Sequence, residues 1–288
     1  MRVIETAAEM QAARECLTRP VGFVPTMGAL HDGHATLVRR ARAESAAVVT
    51  SLFVNPAQFG PDEDYAGYPR DRDRDLAIFE ESGADVVFTP SVDEMYPPGG
   101  ATIVDPGPLG EILEGRYRPG HFRGVATVVS KLFAIVRPDR AYFGEKDAQQ
   151  LRIIRALDRD LRFGIEIVGV PTVRAADGLA LSSRNVYLNA EERRQASAIF
   201  RSLKAAQDKW AAGERKAASL RTVVYAVIGT APLLRPEYVS VADGESLAEV
   251  DSVVGPALVS LAVQVGKARL IDNMTLPPGL SPAGTGRG

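Results

Sequence analysis

Two histidines stand three residues apart in Val24-Pro25-Thr26-Met27-Gly28-Ala29-Leu30-His31-Asp32-Gly33-His34, and their surroundings suggest what they could do. The apolar run Val21 to Val24 predicts a buried strand, and Ala35 to Arg42 predicts a helix. A strand that turns through glycine into a helix leaves backbone N–H groups and a partial positive charge at the turn, which suits phosphate. Gly28 and Gly33 would let backbone approach a ligand with no Cβ in the way. His31 and His34 would share one face of the first helical turn, with ring N–H groups able to follow charge developing on a phosphate. A His-x-Gly-His tetrapeptide also arises by chance, so the strand–turn–helix setting carries the nucleotide reading. The chain has no Gly-Lys-Ser/Thr phosphate loop and no G-x-G-x-x-G.

Four further stretches could contribute chemistry. Ala46 to Val54 predicts a strand buried on both faces, as in a parallel sheet, and Asn55 and Gln58 follow at its carboxyl end. They are either an Asn-Pro turn or polar groups facing the same crevice as the histidines. Ala141 to Phe143 predicts another strand, and Gly144-Glu145-Lys146-Asp147 turns from it into a helix, Ala148 to Leu161, that begins with Gln149 and Gln150. A lysine at such a turn can meet a phosphate as a point charge. After a strand at Ile165 to Val170 and a turn at Asp177-Gly178 comes Ser182-Ser183-Arg184, two hydroxyls and a guanidinium that would clamp phosphate. Leu113 to Gly124 is a glycine-rich loop with Arg116, Arg118, His121 and Arg123. It is either punctuation before a helix at Val125 to Arg137 or a seat for an anion.

The remaining elements must position these groups. Residues 5 to 17, 34 to about 45 and 72 to 82 predict helices, the last ending at Gly83. Ala84 to Pro90 predicts a strand and Ala101 to Val104 a short edge strand. Residues 61 to 75 are dense in alternating charge and predict a solvated loop and helix start, with a carboxylate metal site as the alternative. Beyond 174 the pattern changes. Asn189 to about Gly213, capped through Glu192, and Lys216 to about Gly229 predict helices. Tyr238 to Val241, Ala257 to Val265 and Arg269 to Ile271 predict strands. The expected architecture is an α/β domain with a Rossmann-like parallel sheet over 1–173, a smaller α+β domain over 174–277, and a disordered Pro, Gly and Ser-rich tail over 278–288.

Composition narrows the classes. A net charge of −2 over 288 residues argues against nonspecific binding to nucleic acid or membrane surfaces. Cys16 is the lone cysteine, so no intrachain disulfide and no cysteine-based metal cluster forms. The N-terminus lacks a signal-peptide pattern, and the apolar run Val125 to Val136 is broken by Ser130 and Lys131. A soluble, cytoplasmic protein is expected.

With these pieces in place the chain resembles the pantothenate synthetase (pantoate–β-alanine ligase) family. The resemblance rests on PTMGALHDGH (25 to 34), FVNPAQF (53 to 59), RPGHFRGVATVVSKLF (118 to 133), PDRAYFGEKDAQQL (138 to 151) and GVPTVRAADGLALSSRNVYL (169 to 188). It implies a nucleotidylyltransferase-type α/β fold related to class I aminoacyl-tRNA synthetases. It also implies ATP- and Mg²⁺-dependent ligation of pantoate to β-alanine, yielding pantothenate, AMP and pyrophosphate, commonly in a homodimer.

Carried over residue by residue, the resemblance places ATP on Pro25, Thr26, Met27, Gly28, Ala29, Leu30, His31, Asp32, Gly33 and His34. Gly144, Glu145, Lys146, Asp147 and Val173 would complete that site with Leu181, Ser182, Ser183 and Arg184. The catalytic set is His31, His34, Lys146 and Arg184, with His34 as the family's proton donor, here read as stabilising the leaving group. Gln58 and Gln150 would bind pantoate, with Asn55, Tyr68 and Arg118 in the substrate set. The second domain would close over the anhydride and exclude water. The metal ligands are not assigned. Leu181 departs from the methionine common in the family, a change of similar volume with little expected effect. Two rivals stay open: a nucleotidyltransferase acting on a phosphate ester and a non-catalytic ATP-binding regulator. Neither gives Gln58 and Gln150 a task.

Overall fold

The computed structural model describes residues 1–61, 63 and 65–277; the tail expected to be disordered, 278–288, lies outside them. The chain forms two compact units. One comprises Met1–Val173 with Leu181–Ser183, the other Arg174–Ala180 with the chain from Arg184 onward.

The first unit begins with β1 (Arg2–Ile4), α1 (Ala7–Cys16), β2 (Val21–Thr26), α2 (Asp32–Glu44) and β3 (Ala47–Leu52). It continues with α3 (Arg72–Ser82), β4 (Val86–Phe88), α4 (Val92–Met95), α5 (Glu114–Tyr117), α6 (His121–Val136), β5 (Arg140–Gly144), α7 (Ala148–Leu161) and β6 (Glu166–Val170). The six strands form one parallel sheet in the order β1-β4-β3-β2-β5-β6. Winding runs outward from β2 through β3 to β4, then returns to β2's other side at β5. The carboxyl end of β2 is therefore the switch point where open α/β sheets bind ligands.

Both faces of the sheet are covered, which explains the unbroken apolar strands. Phe23 and Val49 join the cluster under α1, α6 and α7, while Val24 and Val48, one residue away, join Leu37, Val38 and Phe79 of α2 and α3. Each such apolar side chain contributes on the order of 1.5–3 kcal/mol on burial.

Three local expectations change. Ala101 to Val104 is not a strand: both backbone groups of Val104 bond Thr127 Oγ1 on α6 (2.9 and 3.4 Å), so a side chain replaces a neighbouring strand. The basic loop is partly helical, as α5, and α6 starts at His121 rather than Val125. The helix expected over 189 to 213 is interrupted at Ser197, whose hydroxyl donates to the Arg194 carbonyl at 2.8 Å.

The second unit holds α8 (Ala190–Ala196), α9 (Ala198–Ala211), α10 (Ala217–Ile228), β7 (Leu234–Asp243), β8 (Ala257–Val265) and β9 (Ala268–Leu276). Its strands form an antiparallel sheet in the order β7-β8-β9. Asn189 and Glu192 form the expected capping box of α8. Arg174 is held within this unit by Asp272, at 2.6 and 3.0 Å, and stacks over Phe200.

Candidate active site

At the end of β2 the chain enters a turn that its own carboxylate holds. Gly28 and Ala29 have positive φ, 89° and 52°. The backbone N–H groups of Ala29 and Leu30 donate to the two oxygens of Asp75 at 3.0 and 2.8 Å. A Cβ on Gly28 would lie 2.8 Å from Asp75, and one on Gly33 would lie 2.8 Å from the His31 ring. These glycines make room for the protein's own side chains, not directly for a ligand. Asp75 belongs to the stretch read as solvated, yet it is 1% exposed, and burial pushes its carboxyl up.

The histidines then close the N-terminus of α2 as a reciprocal cap. His31 Nδ1 accepts from the Gly33 N–H at 3.1 Å, and His34 Nδ1 accepts from the His31 N–H at 3.3 Å. Because both Nδ1 atoms accept, both rings carry their proton on Nε2 when neutral. Burial pushes His34 down to about 3 and His31 to about 4; the neighbouring His31 adds to the fall at His34, and the Lys146 ammonium to that at His31. At neutral pH the pair therefore presents two uncharged N–H donors that pass the positive end of the α2 dipole outward. The rings lie 4.2 Å apart.

Lys146 sits in the short 3-10 turn Glu145–Asp147 between β5 and α7, with Nζ 3.3 Å from Asp147 Oδ1. β5 lies beside β2, so the two turns emerge from neighbouring strands.

Between these turns opens a cavity of about 170 Å³. Pro25, Thr26, Met27, His34, Gly144 and Asp147 line it together with Asn55, Gln58, Tyr68 and Gln150. Of the polar set expected from sequence, His34, Asn55, Gln58, Tyr68, Asp147 and Gln150 thus meet on one cavity, whereas His31 and Lys146 are not among its lining residues. Asn55 is buried and its amide is fully engaged. Its Nδ2 donates to Gln58 Oε1 and the Gly124 carbonyl at 3.0 and 3.1 Å. Its Oδ1 accepts from the Ala57 N–H and from the Tyr96 hydroxyl at 3.2 and 2.8 Å. Burial raises Tyr96 to about 12, so it stays a donor. With Oε1 held, Gln58 turns Nε2 toward Met27 Sδ, 3.0 Å away, as a donor on the cavity wall. Asn55 therefore orients Gln58 instead of offering free donors of its own.

The other expected residues fall elsewhere. Arg118 does not line the cavity: Glu63 grips its guanidinium at 2.7 and 2.6 Å, and it reaches His121 at 3.0 Å. The Val173 carbonyl accepts from the Leu181 N–H at 3.0 Å. Ser183 Oγ is 3.4 Å from the Tyr68 hydroxyl within the first unit, and Ser182 lies beside it in sequence. Arg184 belongs to the second unit, so the clamp Ser182-Ser183-Arg184 divides between the two. Asp32 is exposed at the first turn of α2, and Leu30 is buried in the core. Gln149, adjacent to Gln150, faces inward and holds the carbonyls of Leu109 and Ile112, both at 2.8 Å.

Sequence reasoning missed the cavity's apolar wall of Val125, Val128, Val129 and Leu132. The stripe of α6 was visible, but a helical stripe reads the same whether it backs a core or a cavity.

Comparison with known proteins identifies the family and the fold. The family described as pantoate-beta-alanine ligase matches residues 2–275. A pantothenate synthetase of Roseiflexus sp. is 59% identical over 276 residues, covering 96% of this chain and 99% of that protein. One from Thermotoga neapolitana is 52% identical, covering 96% and 100%. A crystal structure of pantothenate synthetase from Thermus thermophilus superimposes with a TM-score of 0.92 at 50% identity, covering 96% and 100%. A pantoate-beta-alanine ligase from Francisella tularensis, solved with beta-gamma ATP and beta-alanine, gives 0.79 at 34% identity, covering 95% and 97%.

Proposed function

The chain belongs to the pantoate–β-alanine ligase family, and from that premise we propose that it joins pantoate to β-alanine through a pantoyl-adenylate formed with ATP. The observation that carries this is the meeting of His34, which caps the N-terminus of α2 together with His31, with two amides, Gln58 and Gln150, on one half-apolar cavity. Pantoate has two hydroxyls, a carboxylate and a gem-dimethyl carbon. The amides suit the polar groups and the α6 valines suit the methyls.

A carboxylate acylates an amine poorly, so it needs a better leaving group. In the first step a pantoate carboxylate oxygen attacks the α-phosphorus, the bond to pyrophosphate breaks, and the mixed anhydride forms. Both reactants are anionic, and at 4 Å two unit charges repel by about 4 kcal/mol at an effective dielectric near 20. Lys146 and the α2 terminus oppose that repulsion, while Nε2–H of His31 and His34 would hold phosphate oxygens and the departing pyrophosphate. In the second step the β-alanine amine attacks the pantoyl carbonyl, loses a proton and expels AMP. AMP then keeps the former carboxylate oxygen. Arg184, Ser182, Ser183 and Val173 remain assigned to ATP on the family likeness.

Mg²⁺ is part of this reading. Among the described residues no three His, Cys, Asp or Glu side chains gather to hold an ion, and both oxygens of Asp75 are taken by backbone. A donor set drawn mainly from ATP phosphates therefore fits, with Asp147 the carboxylate on the cavity wall. Bound there, the ion would neutralise charge on the pyrophosphate. A homodimer and a cytoplasmic location rest on the family likeness; no helix among the described residues is long and apolar enough to cross a membrane.

The enzyme should catalyse pantoate-dependent exchange of labelled pyrophosphate into ATP with no β-alanine present. ¹⁸O from the pantoate carboxylate should appear in AMP after full turnover. ADP and phosphate as products, or AMP without label, would refute the adenylate.

The two amides give a second test. Gln58→Ala or Gln150→Ala should raise the KM for pantoate several-fold while leaving that for ATP near its starting value, because each bond is worth about 0.5–1.5 kcal/mol net. Equal loss for both substrates would remove them from acid recognition.

A further inference from the structure

His121 opens α6 with its ring buried behind the cavity wall. Its two nitrogens have unambiguous roles. Arg118 lies 3.0 Å from Nε2, and a guanidinium has no acceptor, so Nε2 must accept. The ring proton is therefore on Nδ1, where it donates to the Gln58 carbonyl at 2.9 Å. Glu63 fixes the guanidinium from the far side through Nε and Nη2. The result is a directional relay from carboxylate to guanidinium to imidazole to the backbone of a cavity residue. It crosses from the loop at Glu63 and the segment before α6 onto the 3-10 turn Pro56–Gln58.

We propose that His121 is a positioning residue for pantoate recognition: its Nδ1–H pins the Gln58 carbonyl, and Glu63 and Arg118 lock the tautomer that makes this possible. This rests on the reading that Gln58 meets the acid. Asn55 holds the Gln58 side-chain oxygen, and His121 holds its main chain. The two bonds together leave the Gln58 amide one direction in which to aim its Nε2–H. A guanidinium and a buried site also disfavour a second proton on the ring: burial, then Arg118, push His121 down to about 4 against weaker opposition from the Gln58 carbonyl, then Glu63 and Glu114. Of the basic loop, read from sequence as either punctuation or an anion seat, Arg118 and His121 are thus turned inward as support for a neutral amide, while Arg116 and Arg123 are exposed.

The test uses the difference between two amides. An asparagine at 121 places its N–H near the Nδ1 position, whereas a glutamine places it near Nε2. His121→Gln should raise the KM for pantoate several-fold, approaching but not exceeding the rise in Gln58→Ala, with the KM for ATP unchanged. His121→Asn should stay within about twofold of the parent. In a Gln58→Ala background, His121→Gln should add little further. Equal rises for pantoate and ATP, no rescue by asparagine, or full additivity with Gln58→Ala would each overturn the proposal. If Gln58→Ala raises the pantoate KM and His121→Gln does not, positioning alone is refuted. If Gln58→Ala itself leaves it unchanged, the site reading falls.

Discussion

Lys146→Ala is expected to slow pantoyl-adenylate formation by about 10²–10³-fold, the scale of losing one preorganised donor aimed at developing charge. The reasoning starts from what the neighbouring groups cannot supply. His31 and His34 are neutral above about pH 5, since burial holds them near 4 and 3. The N-terminus of α2 offers about half a charge, part of it already met by the two Nδ1 atoms. A full positive charge at this turn comes from Lys146, whose field already depresses His31; Arg74 reaches His31 more weakly. Two unit charges 4 Å apart interact by about 4 kcal/mol at an effective dielectric near 20, and the Asp147 carboxylate at 3.3 Å offsets a part. The remainder corresponds to two or three powers of ten. Single-turnover adenylation with ATP and pantoate, without β-alanine, reads the effect directly. Lys146→Arg should recover part of the rate, because it restores the charge on a longer, planar group. An alanine variant that forms adenylate at the parental rate would take Lys146 out of the mechanism.

Much of this arrangement was legible in order of appearance along the chain. Strands buried on both faces announce themselves as β-branched runs, so β2 and β3 could be bounded to within two residues, and the turns after β2 and β5 followed from glycine placement. What sequence could not say is which way a side chain points. Asp71, Asp73 and Asp75 alternate with arginines and look equivalent. Only Asp75 is buried, because α3 turns that face of the helix toward the Gly28–Leu30 turn. Gln149 and Gln150 look interchangeable, yet a 100° step along α7 sends one to the Leu109 and Ile112 carbonyls and the other to the cavity. The pairing of Arg118 was hidden for the same reason: its partner Glu63 lies 55 residues away, a separation that no local pattern encodes. β1 was missed because three residues, two of them exposed, carry no period. Tyr96 was invisible as a site residue, since its link to Asn55 spans 41 positions.

Lowering the pH from 7 to 5 is expected to cost roughly 3–6 kcal/mol of folding stability through the histidines alone. The chain has three, and the fold depresses all of them: His31 and His121 to about 4 and His34 to about 3, with burial the leading cause each time. The unfolded chain titrates them near 6.5. Above that value neither state binds the proton, so their contribution to stability is fully present. As the pH falls below it, the unfolded state takes up protons that the folded state refuses, and stability drops until the folded values near 3 to 4 are reached. Each histidine then contributes about 1–2 kcal/mol between pH 7 and 5, after allowance for partial exposure of the capping pair. Carboxylates such as Asp177, which Arg193 holds below its usual range, act lower, below about pH 4. Urea unfolding at pH 7, 6 and 5 measures the slope, and His121→Asn should remove about one third of it. A stability that stays flat across that range would mean the rings accept protons in the folded state. Nε2 of His34 would then act as a charged acid toward pyrophosphate, and not as the neutral donor that its cap on α2 requires.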